Sequence, residues 1–172
     1  MVILVTGATG RVGKLLVATL LQRGEELRVI VRKKPSPLLP PEVEQIEHDL
    51  STGAPPVSVF TNVSKIVHLA ALIGDYPYND LLLNNAYATK NLLSACPTKI
   101  QRIVIASSIS VYGEYKGQIV DESFTPKSES PYGQSKLLAE QFAHGFCPSL
   151  SITLLRIGMI YGPGFEEGYY PV

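Results

Sequence analysis

The four-residue apolar run Val2–Val5 breaks directly into Thr6-Gly7-Ala8-Thr9-Gly10-Arg11-Val12-Gly13, after which Leu15, Leu16, Val17, Leu20 and Leu21 recur at helical spacing. A buried strand feeding a helix through a glycine turn admits few folds. Glycines in such a turn permit φ > 0, let the backbone approach a pyrophosphate and let helix pack closely on strand. The helix N-terminus then faces the phosphates with free N–H groups and the positive end of its dipole. The spacing is Gly-x-x-Gly-x-x-Gly rather than Gly-x-Gly-x-x-Gly, and a chain with 14 glycines can place three so in a plain turn. Its position between strand and helix favours phosphate binding, with Gly7, Gly10, Arg11, Val12 and Gly13 as the contacts.

The alternation continues down the chain. Leu27–Val31, Val43–Glu47, Ile66–Leu69, Gln101–Ala106 and Ile152–Arg156 read as strands, and Leu81–Ala95 and Pro131–Phe146 as helices. Continuous apolar strands between amphipathic stretches predict a parallel sheet covered on both faces. Right-handed crossovers make it a Rossmann-like, doubly wound α/β sheet of strand order 3-2-1-4-5-6. Prolines from Pro35 to Pro41 and at Pro55–Pro56 mark loops rather than a linker, so residues 1–172 read as one dinucleotide-binding domain.

Composition narrows the partners. Fifteen cationic residues balance 15 anionic ones, which argues against nucleic acid or an anionic membrane held by bulk charge. No apolar run approaches the ~18 residues of a membrane span, and the N-terminus lacks the basic flank and cleavage site of a signal peptide. Cys96 and Cys147 have no metal-ligand or redox spacing, and no metal site is expected. They read as packed thiols in a reducing, cytoplasmic setting.

The strand Leu27–Val31 ends at Arg32-Lys33-Lys34, with no acidic residue at its end. A carboxylate there suits the ribose 2′-hydroxyl of NAD, and an arginine suits a 2′-phosphate. A solvated basic loop would look alike, but Arg32 favours NADP over NAD.

Tyr-x-x-x-Lys occurs twice, as Tyr112 to Lys116 and Tyr132 to Lys136. Nine tyrosines and nine lysines produce about 0.5 such matches by chance, so context must separate them. Tyr112 enters a segment containing Gly113 and Gly117, where positions i and i+4 need not meet. Tyr132 follows Ser130-Pro131, a helix-start signal, so Tyr132 and Lys136 share one helical face. Tyrosine titrates near ~10, and work as a base near neutrality needs a drop of roughly three units, about 4 kcal/mol. A lysine ammonium and a cationic nicotinamide favour phenolate. Ser107 and Ser108 end the strand Gln101–Ala106 at the carboxyl edge, where such sheets bind ligands.

Taken together, these motifs resemble the extended short-chain dehydrogenase/reductase family, which includes nucleotide-sugar epimerases and dehydratases. Gly7, Gly10 and Gly13 match its glycine motif, Asp49-Leu50 the pair that contacts adenine, and Leu69-Ala70-Ala71 the strand end beside the cofactor. Asn85, Ser108, Tyr132 and Lys136 match its catalytic tetrad, and Leu155 to Gly164, including Ile157, the segment that passes the nicotinamide. The resemblance implies an oxidoreductase acting at a hydroxyl or carbonyl carbon of a small-molecule substrate. In it Tyr132 is the acid/base, Lys136 lowers its pKa and binds the ribose, Ser108 orients the substrate oxygen and Asn85 organises the proton-relay side.

Ile109-Ser110 replaces the Asp-Glu pair of the dehydratases, and Met159 stands where epimerases and dehydratases usually carry an asparagine near the sugar-nucleotide phosphate. The first counts against dehydration and the second against a nucleotide-sugar substrate, and Arg32 resembles the NADP-preferring reductases. An epimerase that moves hydride out and back, and a sensor that binds dinucleotide without turnover, are the rival readings. The family continues beyond Gly164 into a substrate lobe, so the chain is expected to be either part of a longer enzyme or a short form. Surplus apolar residues on Leu81–Ala95 and Pro131–Phe146, with the resemblance, imply a homodimer.

Overall fold

The computed structural model describes residues 1–115, 117–162 and 165. Six strands form one parallel sheet in the order β3-β2-β1-β4-β5-β6, with β1 Val2–Thr6, β2 Glu26–Val31, β3 Glu44–Glu47, β4 Val63–His68, β5 Arg102–Ser108 and β6 Ile152–Ile157. This is the expected doubly wound order. It reverses between β1 and β4, which opens a crevice at the carboxyl ends of those strands. Helix α1, Arg11–Gln22, covers one face through Val17, packed on Ile3, Val5, Val29 and Val31. On the other face lie α2 (Tyr78–Leu81), α3 (Ala88–Ser94) and α4 (Pro131–Phe146), and there Leu92, Leu93 and Ala143 meet Leu4, Ile66, Ile103 and Ile105. Alternate residues of one strand thus feed two cores, as burial on both faces requires.

Three elements differ from the sequence reading by more than one residue at an end. β4 starts at Val63 and ends at His68, because the Leu69 amide already leaves the ladder to donate to the Thr6 carbonyl (3.1 Å). β5 runs on through Ser107 and Ser108, which pair with Arg156 and Ile157 of β6; pairing, not apolarity, sets that end. The predicted helix Leu81–Ala95 begins at Tyr78 and is interrupted by a π-helical turn over Leu82–Tyr87. Such turns carry one extra residue and occur often at functional sites. Among the described residues no helix is long and apolar enough to cross a membrane.

Candidate active site

The glycine turn is packed too tightly for side chains. Gly7 lies at φ 71°, and a Cβ on it would stand 2.6 Å from the Ala70 amide nitrogen; one on Gly13 would stand 2.1 Å from the Gly7 carbonyl oxygen. The turn closes through the Gly10 amide on the Gly7 carbonyl (3.0 Å), and Gly10 begins α1 with no side-chain cap. The glycine turn and the uncapped N-terminal end of α1 thus suit an anionic ligand. They open on a cavity of about 310 Å³ whose far walls are Arg32 after β2, Asp49 and Leu50 after β3, and Leu69–Ile73 after β4. Gly7, Gly10, Arg11, Val12, Gly13, Ala70 and Ala71 line it as well. Burial pushes the Asp49 carboxyl up, but Ser51 donates its hydroxyl (2.7 Å) and its amide (2.9 Å), Arg32 adds its charge, and the group settles below its ordinary range. A long concave slot with a backbone cradle at one end fits a dinucleotide.

A smaller cavity of about 80 Å³ adjoins it and shares Val12, Leu69, Ala71 and Ile73 with it. Ser108, Tyr132, Lys136 and Ile157 line this second space. Helix α4 presents the pair because Ser130 caps it, accepting from the Gly133 amide (3.1 Å), with Pro131 in the first turn. Gly133 lets the helix start press on the turn after β5, since a Cβ would lie 2.4 Å from the Ser110 carbonyl oxygen. Tyr132 and Lys136 are both buried, and the Lys136 ammonium donates to the Ala106 carbonyl at 2.6 Å. Burial pulls Lys136 down to about 8 against the opposing pull of Glu140. Ser108 ends β5, donates to the Ser110 hydroxyl (3.0 Å) and accepts from the Ser110 amide (3.1 Å).

Asn85, fully buried inside the π-helical turn, lines neither cavity. Its side chain accepts from the Leu72 amide (2.7 Å) and donates to the Leu72 carbonyl (3.0 Å) and to Ser135 Oγ (2.8 Å). Ser135 in turn donates to the Tyr132 carbonyl (2.7 Å).

The other Tyr-x-x-x-Lys match has a different setting. Tyr112 is buried in a 3-10 turn, Ile109–Tyr112; its hydroxyl accepts from Arg156 (2.7 Å) and donates to the Asp121 carbonyl (3.1 Å). Lys116, Pro163 and Gly164 lie outside the described residues.

Several participants were not singled out from the sequence. His68 bonds Thr6 Oγ1 through Nδ1 (2.6 Å) and Thr89 Oγ1 through Nε2 (3.0 Å). Thr89 spends its proton on the Asn85 carbonyl (2.7 Å), so Nε2 carries the histidine hydrogen and Nδ1 accepts from Thr6. Burial, then the Lys136 charge, pushes His68 down to about 3, so it stays neutral. Thr6 finally accepts from the Ala70 amide (3.2 Å). The one signal was a polar residue in an apolar strand. Glu140 and Arg156, whose buried contact joins α4 to β6, carried no signal before the pairing of strands was known.

The sequence pattern of the NAD dependent epimerase/dehydratase family matches residues 3–171. The chain belongs to that family. It is 37% identical over 114 residues to an uncharacterized UDP-glucose epimerase, YtcB, of Bacillus subtilis, covering 62% of this chain and 36% of that protein. A 3-beta-hydroxysteroid dehydrogenase of Mycolicibacterium neoaurum is 33% identical over 159 residues, 83% of this chain and 42% of that one. The solved structure of MoeE5 in complex with UDP-glucose and NAD superposes with a TM-score of 0.83 at 37% identity, covering 95% of this chain and 56% of MoeE5. The chain therefore spans about half the length of these relatives, or less.

Proposed function

We propose that residues 1–172 form the dinucleotide-binding domain of an NAD(P)-dependent oxidoreductase that moves hydride at a carbonyl or hydroxyl carbon of a small molecule. The observation that carries this reading is the shared wall of Val12, Leu69, Ala71 and Ile73, which runs from the glycine turn into the space lined by Ser108, Tyr132 and Lys136. Gly7, Gly10, Arg11, Val12 and Gly13 would hold the pyrophosphate, Asp49 and Leu50 the adenine, and Leu69, Ala70, Ala71 and Ile157 the nicotinamide half. When bound, the nicotinamide supplies or accepts the hydride. Tyr132 Oη gives a proton to the substrate oxygen in reduction and takes it back in oxidation. The Lys136 ammonium, one helical turn on, stabilises the phenolate, and its second duty is the ribose. Ser108 Oγ orients the substrate oxygen. Asn85, already committed to Leu72 and Ser135, acts by holding the cofactor wall against α4.

Arg32, exposed at the cavity mouth, supports NADP over NAD, since no carboxylate stands at the end of β2. A second reading, epimerisation with hydride out and back, has the support of MoeE5, whose structure holds UDP-glucose and NAD. Incubating the full-length protein with NADPH or NADH and a panel of aldehydes, ketones and UDP-sugars separates the two. Net consumption of reduced cofactor marks an oxidoreductase, sugar inversion without net consumption marks an epimerase, and tight binding without either marks a sensor and overturns both. Two further assignments are ours. Exposed Leu83 and Tyr87 of the π-helical turn, with Phe142 packed 5.7 Å from Tyr87, support a homodimer through that turn, α3 and α4, to be tested by light scattering. Free Cys96 and Cys147 support a cytoplasmic setting.

A further inference from the structure

Below the Tyr132–Lys136 pair lies a buried charge cluster that the proposed reaction does not use. Glu140, 2% exposed, follows Lys136 by one turn of α4. Its carboxylate accepts from Ser107 Oγ (2.5 Å) at the end of β5, and from Arg156 of β6 through Nη2 (2.8 Å) and Nε (3.1 Å). Arg156 reaches on to the Tyr112 hydroxyl (2.7 Å). One anion therefore ties together α4, β5, β6 and the turn that follows Ser108.

Lys136 belongs to none of the ion pairs among the described residues; its ammonium donates to the neutral Ala106 carbonyl (2.6 Å). Around it stand neutral His68 from β4, Ser107 and Ser108 from β5, Ile157 from β6, and Tyr132 and Glu140 from its own helix. Glu140 is the one anion in that set, and it works against the burial that lowers Lys136. A stabilising role alone explains little, because a buried ion pair is often matched by apolar residues of the same volume.

We propose that Glu140 is a positioning residue for the Tyr132–Lys136 pair: its carboxylate locks α4 to the ends of β5 and β6 and supplies the counter-charge to the Lys136 ammonium. This rests on the assignment of Tyr132 and Lys136 made above. Removal of that anion must favour loss of the Lys136 proton.

The Lys136 ammonium can be titrated by ¹⁵N NMR on full-length protein labelled at lysine, its signal assigned with Lys136→Arg. In wild type it titrates at about 8. In Glu140→Gln the midpoint falls by about one pH unit, and in Glu140→Asp it stays near wild type. The double variant Glu140→Met with Arg156→Met removes the Glu140–Arg156 pair together, so neither partner is left without the other; it folds and still shows the fall. An unchanged midpoint in folded Glu140→Gln or in the double variant overturns the proposal. So does failure of both to fold, which makes the pair a requirement of the fold. Turnover of Tyr132→Phe is measured alongside: if it is unimpaired while Lys136 shifts as stated, the functional reading fails and the electrostatic one stands.

Discussion

Asn85 donates its side-chain amide to the hydroxyl of Ser135, 2.8 Å away, and so joins the π-helical turn to the helix that carries Tyr132 and Lys136. The bond is one link in a longer series. The Ala70 amide, Thr6, neutral His68, Thr89 and the Asn85 backbone run from the cofactor wall into the π-helical turn, and Ser135 closes the series on the Tyr132 carbonyl. Every member is satisfied, so the network rigidifies the site rather than straining it. Tyr132 is thereby referenced to the same strand ends that shape the dinucleotide slot.

Arg32→Ala tests the cofactor preference. Loss of a charge-assisted contact to a 2′-phosphate is expected to weaken NADPH by about 1.5–3 kcal/mol while leaving NADH nearly unchanged. Fluorescence titration with both cofactors measures it. Tighter NADH binding in wild type, unaltered by the substitution, counts against Arg32 as the phosphate ligand.

Lys136→Met is expected to raise stability at neutral pH while lowering turnover and cofactor affinity. Lys136 titrates at about 8 when folded against an ordinary 10.5. Below 8 both states are charged and the folded state carries the whole desolvation cost; above 10.5 both are neutral and the cost is gone. That is on the order of 3 kcal/mol near pH 7. An unpaired Ala106 carbonyl returns about 1–3 of it, leaving a gain of about 1 kcal/mol. Thermal melts at pH 7 read the sign, and a lower Tm in the variant contradicts it.

His68 sets an acid limit. Its folded value of about 3 lies below the ordinary 6.5, so between these the unfolded chain binds more protons and stability rises with pH. The contribution is whole above 6.5 and drains as pH falls; roughly 2–3 kcal/mol goes between pH 6.5 and 4.5. His68→Asn is expected to melt at a lower temperature at pH 7 but with a flatter pH dependence. Parallel curves for the two proteins rule out His68 as the source.

How far the sequence was legible depended on whether a signal was local. The turn Gly7–Gly13 and the cap Ser130-Pro131 announce themselves because their geometry is set within a few residues. Tyr132 and Lys136 could be paired because helical spacing is local too. The reach of β5 to Ser108 could not be read, since it depends on pairing with β6, 49 positions on from Ser108 to Ile157. The π-helical turn stayed hidden because Leu82, Leu83 and Ala86 also satisfy ordinary helical periodicity. Nothing local marks Glu140, because the groups that hold it, Ser107 and Arg156, come from strands distant in the chain.

The two tyrosines provide the sharpest test of the site. Tyr132 lines the small cavity with Ser108 and Lys136, whereas Tyr112 spends its hydroxyl on Arg156 and the Asp121 carbonyl. Tyr132→Phe keeps the ring and removes the proton donor, so turnover of the full-length enzyme is expected to fall by roughly 100- to 10,000-fold. Cofactor affinity changes little, because the glycine turn is untouched. Tyr112→Phe takes an acceptor from Arg156, packed 4.7 Å above its ring, and is expected to cost about 1–3 kcal/mol of stability while leaving turnover within a few-fold. Steady-state kinetics and a thermal melt on both variants separate a chemical loss from a structural one. A dead Tyr112→Phe of normal stability beside an active Tyr132→Phe means that the chemistry belongs to the other tyrosine.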